Sequence, residues 1–229
     1  MAIYRIFPEK DTFIYTEQNT GNAGKDEIVE VGGYKGVNDG TGQATRILTQ
    51  FSSTEIDDVI NNEIGLDSTG SMSASLKLYL ADASELPVDY TLYAYPIFTA
   101  GTGEWDNGTG KFGDTPVNKT GASWVYKNAG QENAWSTSGF TALTTASFIS
   151  GKEGGGNWYT ASNGESMEFY QSHSISSDHD VNINVTPAIK QIYDDLLTNR
   201  GFIVKLQDEY EFYTTASIRL KYFGKDTNT

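Results

Sequence analysis

Apolar residues recur at every second position along much of this chain, the spacing of strands that turn one face inward. Thr12–Tyr15 and Glu27–Val31 read as the first two strands, separated by the polar turn Asn19-Thr20-Gly21-Asn22, and Arg46–Phe51 reads as a third. From Ser73 to Leu80 the alternation puts Ala74, Leu76, Leu78 and Leu80 on one face and Ser75, Lys77 and Tyr79 on the other. Tyr90–Ile97 follows, with Pro96 marking a strand end or sheet edge, because proline brings no N–H to the ladder. Ser166–Tyr170, Val181–Val185, Phe202–Leu206 and Ser217–Phe223 complete the set. Strands at this spacing, with no helix between each pair, predict an all-β sandwich or jelly roll.

Two stretches change period. Ser52 and Glu55 have capping-box spacing ahead of Ile56, Val59 and Ile60, which predicts a short helix. The longer one runs over about 187–199: Thr186 can cap, Pro187 suits the first helical position, and Ile189, Ile192, Tyr193, Leu196 and Leu197 share a face before Gly201 ends it. Both helices are expected to cap open ends of the sandwich. No linker or internal repeat divides residues 1–229, so one domain is expected. Residues 101–165 differ from the rest: rich in Gly, Asn, Ser and Thr, they carry Trp105, Trp124, Trp135 and Trp158, all four tryptophans of the chain. Loops this long inside one domain commonly serve function.

Composition narrows the chemistry. The chain has no cysteine, so neither disulfides nor thiolate metal sites are available. Thirty acidic against sixteen basic residues give a net charge of −14, a field that repels phosphate backbones and anionic bilayers, so nucleic-acid and membrane partners are not expected. Residues 1–20 hold Arg5, Glu9, Lys10, Asp11 and Glu17 and offer no apolar core of a secretory signal; synthesis in a cytoplasm without a signal peptide is the expectation.

Catalytic signals are sparse, and no enzymatic activity and no cofactor are expected. His173 and His179 lie in the polar stretch Ser172–Asp180; with Asp178 or Asp180 they could ligate a metal, but the spacing is no recognised ligand pattern and reads as a solvated loop. Glu153-Gly154-Gly155-Gly156-Asn157 lacks the Lys-Ser/Thr and the helix of a phosphate cradle and reads as a flexible loop. Asp106-Asn107-Gly108-Thr109-Gly110, with Asp114 nearby, offers oxygen donors as a weak calcium candidate, without the closing Glu of a calcium-binding helix-loop-helix. Exposed indoles can stack on sugar faces; Trp105 and Trp158, beside Gly-rich turns, are the glycan-binding candidates, whereas Trp124 and Trp135 are expected inside.

The order of landmarks resembles the DNRLRE-type jelly-roll domain of bacterial surface proteins, carbohydrate-binding modules and phage structural proteins. The pieces are Asp11-Thr12-Phe13-Ile14, Arg46–Phe51, Ser73–Tyr79, Trp105–Gly110, Ser123-Trp124, Trp135, Val185-Thr186 and Gly201–Leu206. The end, Phe223–Thr229, resembles the segment before that family's last strand, which implies a strand missing here or supplied by a following segment or a partner. The stretch from Gly110 to Gly151 is more elaborate than the family core. The resemblance implies a virion structural protein of a phage, in the tail, baseplate or fibre attachment, with capsid decoration as a near variant. Other virion subunits would then be its partners, in a homo- or hetero-oligomer. The alternative it implies is a carbohydrate-binding module adhering to host surface glycans.

Overall fold

A computed structural model describes residues 3–36, 42–64, 72–84, 86–99, 103–138, 140–146, 151–212, 214–215 and 217–227. Its main strands are β1 (Lys10–Tyr15), β2 (Ile28–Lys35), β3 (Gly42–Gln50), β4 (Ser75–Leu78), β5 (Leu80–Ser84), β6 (Tyr90–Pro96), β7 (Phe169–His173), β8 (Val181–Asn184), β9 (Phe202–Leu206) and β10 (Ile218–Phe223). Among the described residues these make an eight-stranded antiparallel sheet in the order β7-β6-β9-β3-β2-β10-β5, with β1 added on β3. β3 is where the sheet divides: β9 pairs with Ile47–Thr49, and β2 takes over along Gly42–Thr45. The result is a curled all-β fold of the sandwich type that the alternation predicts.

The predicted strand Ser73–Leu80 breaks at Tyr79 into β4 and β5. β5 stays on β10, while β4 turns to pair with β8 at Leu76↔Ile183 and Leu78↔Val181. The gap between β7 and β8 is spanned by a side chain: Gln171 accepts from the Asn182 N–H at 2.6 Å and donates to the Asp180 carbonyl at 3.3 Å. An amide that both donates and accepts thus replaces a ladder rung and closes the curl.

Inside the curl lies the larger core, with Phe13, Val31, Ile47, Leu92, Phe202, Val204, Leu220 and Tyr222 among its members. The second cluster sits on the opposite face of β1, β3, β6 and β9, where Ile14, Leu48, Tyr95 and Ile203 meet the four tryptophans. The described residues of 103–158 therefore form a covering layer, and β3 and β9 are buried on both faces along their whole length. Short pairs such as Thr144–Thr145 with Trp158–Tyr159 give that layer its only regular structure among the described residues beside Tyr126–Asn128 with Asn133–Ala134 and one short helical turn.

The first predicted helix is present as α1 (Ser53–Asp58), with Ser52 accepting from the Glu55 N–H at 3.4 Å, and it runs on into a wider π-helical turn over Val59–Ile64. The second is shorter than predicted: α2 (Thr186–Tyr193) stops where Asp195 takes a left-handed φ of 55°, and Leu196 turns outward. Thr186 is not its cap; its hydroxyl accepts from Ala74 N–H at 2.8 Å and ties the helix start to the strand ahead of β4. A third helix, α3 (Asp208–Glu211), lies directly on β2 and β3. Gly33 permits the approach, since a Cβ there would stand 1.9 Å from the Tyr210 carbonyl oxygen.

β10 is paired on both edges, by β2 and by β5. Beyond it Gly224 donates to Glu27 O at 2.8 Å, and the buried Asp11 carboxylate accepts from Lys225 N–H at 2.6 Å. Burial outweighs that hydrogen bond and the Lys225 charge, and raises the Asp11 pKa from 3.8 to about 6. A folded pKa above the unfolded one means the native state holds the proton more tightly. The contribution is therefore full below pH 3.8 and is lost as pH rises through about 6. His173 works the other way: burial, then the His179 charge, lower its pKa, so its contribution is present above 6.5 and falls on acidification. Subtraction separates the two. From pH 4 to 7 the stability of the wild type relative to Asp11→Asn should fall by about 2–3 kcal/mol in urea melts, and a flat difference would mean the carboxylate is solvated.

Candidate functional site

The densest chemistry in the fold lies between the sheet and its covering layer. Arg46, on the outward face of β3, is wholly buried and forms a two-pronged pair with Glu211 of α3, Nε to Oε1 at 2.6 Å and Nη2 to Oε2 at 2.7 Å. Its third nitrogen donates to the Gly155 carbonyl. Lys205, on β9, reaches Glu211 Oε2 at 3.2 Å, Asp208 Oδ1 at 2.5 Å and the Leu206 carbonyl at 3.0 Å. Two aromatic faces complete the enclosure: the guanidinium carbon lies 4.7 Å from the Trp124 ring and 5.3 Å from Trp158, and the Lys205 ammonium lies 5.6 Å from Trp158. Fork geometry and cation–π contact are what make a buried guanidinium tolerable. The cluster joins sheet, α3 and covering layer at one point.

The two glycan-binding candidates are buried, where exposure was expected. Trp105 is 1% and Trp158 3% exposed, so neither indole presents a face to a sugar. Trp105 donates its N–H to the Arg200 carbonyl at 2.8 Å, and Trp158 packs on Tyr95 with ring centroids 5.5 Å apart. Trp124 and Trp135 are inside as expected, donating to Lys152 O and Ser123 O at 2.9 Å each. The Gly-rich turn misled because glycine serves close packing there: Gly155, at φ 78°, would carry a Cβ 2.5 Å from Arg46 Nη1 and 2.7 Å from Trp124.

The calcium candidates cap their own turns. Asp106 accepts from Gly108 N–H at 3.2 Å and Asp114 from Lys111 N–H at 2.9 Å. The loop's organiser is Asn22, buried and using its full capacity: it donates to Asn107 O and Ala122 O at 2.9 Å each and accepts from Gly24 N–H at 3.2 Å and Gly110 N–H at 2.9 Å. Sequence reasoning placed Asn22 in a plain turn; only the fold reveals the partners, which lie 85 to 100 positions away in the first two cases.

The histidines do come together, at the base of a loop whose residues 174–178 are exposed. His173 is buried, stacks on Tyr90 at 5.2 Å and lies 5.9 Å from His179, while the Tyr90 hydroxyl bonds His179 Nδ1 at 2.7 Å. Asp178 and Asp180 turn their carboxylates to backbone N–H groups, of Asp180 and Leu80 respectively. Among the described residues no group of three or more His, Asp or Glu could hold a metal ion. A polar cleft of about 460 Å³ opens near Glu9, Asp57, Asp195, Asn199 and Arg200. Glu104 on its wall is held by Lys10 at 3.0 Å and Arg200 at 2.6 Å; the Lys10 hydrogen bond, against partial burial, lowers its pKa.

Comparison with protein-family models, curated proteins and solved structures finds no match for this chain.

Proposed function

We propose that this chain is a non-enzymatic structural protein of a phage virion, a tail, baseplate or fibre-attachment component, with capsid decoration as the near variant. One observation supports an assembly role above the others. The segment ahead of β1 holds Ile3 83% and Phe7 75% exposed, with Tyr4 tied back to the Glu63 carbonyl at 3.2 Å. Exposed apolar side chains close together in one segment fit a contact with another protein. The body suits mechanical work: the long loops are spent on a second layer over the sheet, and the Arg46–Glu211–Lys205 cluster is buried beneath it. The phage attribution rests on the resemblance of Asp11–Ile14, Arg46–Phe51 and Gly201–Leu206 to the DNRLRE-type jelly-roll family, with the absence of cysteine, the acidic charge and the Gly/Asn/Thr-rich loops favouring its phage members. The glycan-adhesion alternative has lost the indoles on which it stood.

The test is quantitative mass spectrometry of particles purified from the lysed host. The chain should be present in a multiple of three or six copies if it serves the tail, whose closed rotational symmetry fixes such numbers. Hundreds of copies would place it on the capsid instead. Its absence from intact particles would sink the proposal.

A further inference from the structure

β6 and β7 pair with Tyr93 opposite Tyr170 and Thr91 opposite Ser172. Alternation sends Tyr90, Leu92, Ala94 and Phe169 into the main core, so Tyr93, Tyr95 and Tyr170 share the outer face. Their rings form a strip: Tyr93 lies 5.8 Å from Tyr170 and 5.9 Å from Tyr95, the latter pair within 10° of parallel. On its other side β6 faces β9, with Lys205 opposite Tyr93.

The outer face of the sheet thus reads, from the covered side to the open side, Arg46, Lys205, Tyr93, Tyr170. At the covered end each cation has an aromatic ring over it. At the open end the rings have no cation over them among the described residues, and Tyr170 is 63% exposed. Two carboxylates flank them. Glu168 is exposed, accepts from the Tyr95 hydroxyl at 3.1 Å, and makes no ion pair among the described residues. Asp208 stands on the side of Lys205. The Tyr93 phenol is held above its ordinary range by burial first, then by Glu168, Tyr170 and Asp208, so both carboxylates act on the strip.

We propose that this strip docks an arginine side chain presented by a partner protein, an inference that rests on the assembly reading above. A planar guanidinium stacks on a tyrosine face and can fork onto a carboxylate at the same time, which a compact ammonium does less well. Glu168 supplies that carboxylate beside the open rings. The charge of −14 draws a basic partner from a distance and repels an acidic one. A neutral glycan could also stack on these rings, but it would leave the Glu168 charge without a counterpart.

The test is a titration of the whole chain, with ¹³C-labelled tyrosine rings, by an acetylated and amidated Gly-Arg-Gly-Arg-Gly peptide at about 0.15 M salt. Saturable shifts should appear at Tyr170 and Tyr93. Tyr170→Ala and Glu168→Gln should each weaken binding about fivefold. Tyr170→Ala leaves the net charge unchanged and removes an exposed ring, so diffuse attraction and folding both persist in it. The same peptide with citrulline, the neutral isostere, should give no response. An equal response to citrulline, an undiminished response in Tyr170→Ala, or shifts with cellohexaose and none with the peptide would each overturn the proposal. Failure of the assembly reading shows elsewhere. A chain absent from particles that still binds the peptide at Tyr170 sinks that reading and leaves the strip. A particle-borne chain blind to the peptide does the reverse.

Discussion

Glu211→Ala should destabilise the fold by about 3–5 kcal/mol, the loss that follows when one partner of a buried ion cluster is removed. Glu211 is wholly buried and is the acceptor for two cations, Arg46 at 2.6 and 2.7 Å and Lys205 at 3.2 Å. Without it both positive groups stay inside with carbonyl oxygens, Asp208 and the indole faces for company. Arg46 is enclosed by α3 and the covering layer, while Lys205 keeps only the largely exposed Asp208 as a charge partner among the described residues. Glu211→Gln keeps the shape and an acceptor but not the charge, and should cost an intermediate amount. Arg46→Met should cost less than Glu211→Ala, because it leaves Glu211 paired to Lys205 and puts an apolar chain between Trp124 and Trp158. Urea denaturation of the three variants gives the order directly. A loss below about 1 kcal/mol for Glu211→Ala, the value of an exposed pair, would mean that the cluster opens to solvent.

The same cluster shows what could and could not be read from the sequence. The strands were legible because burial of one face imposes a period of two, and Phe202–Leu206 was placed to the residue. A period of two places Arg46 and Lys205 on the face opposite the main core, without saying what covers that face. They face a second layer, and nothing local records it, since the layer comes from residues 103–158 and carries almost no regular pattern. Glu211 was invisible for a related reason: a four-residue helix is too short to show a periodic face. Asn22 and His173 were misjudged because a polar residue in a polar stretch looks solvated whether or not the fold closes over it. The predicted second helix overran because Leu196 and Leu197 continue the apolar spacing, while the left-handed Asp195 that breaks it follows from tertiary packing. For the candidate sites the lesson is sharper. Tryptophans were judged by their neighbours in sequence, so those beside Gly-rich turns looked exposed. The fold reverses that for Trp105 and Trp158, which are buried, and leaves Tyr170 as a large exposed ring.

That reversal makes a contrast measurable. Trp158→Ala should destabilise by about 3–5 kcal/mol, the range for truncating a large buried aromatic side chain. In a chain of this length that corresponds to a melting point lower by roughly 6–20 °C. The indole fills the space between Arg46, Lys205 and Tyr95, and its backbone pairs with Thr145 and Ile97, so the surroundings cannot collapse inward without moving the sheet. Removing it also strips the aromatic face from two buried cations. Trp158→Phe should recover part of the loss, because a smaller ring still covers them. Tyr170→Ala, by comparison, removes a ring that is mostly in water and should change stability by no more than about 0.5 kcal/mol. Side-by-side thermal melts of the two alanine variants decide between the assignments. If Trp158→Ala melted with the wild type, the indole would have to lie at the surface. A sugar-stacking role for the residues around Gly154–Asn157 would then return, and the argument for a covering layer would fall with it.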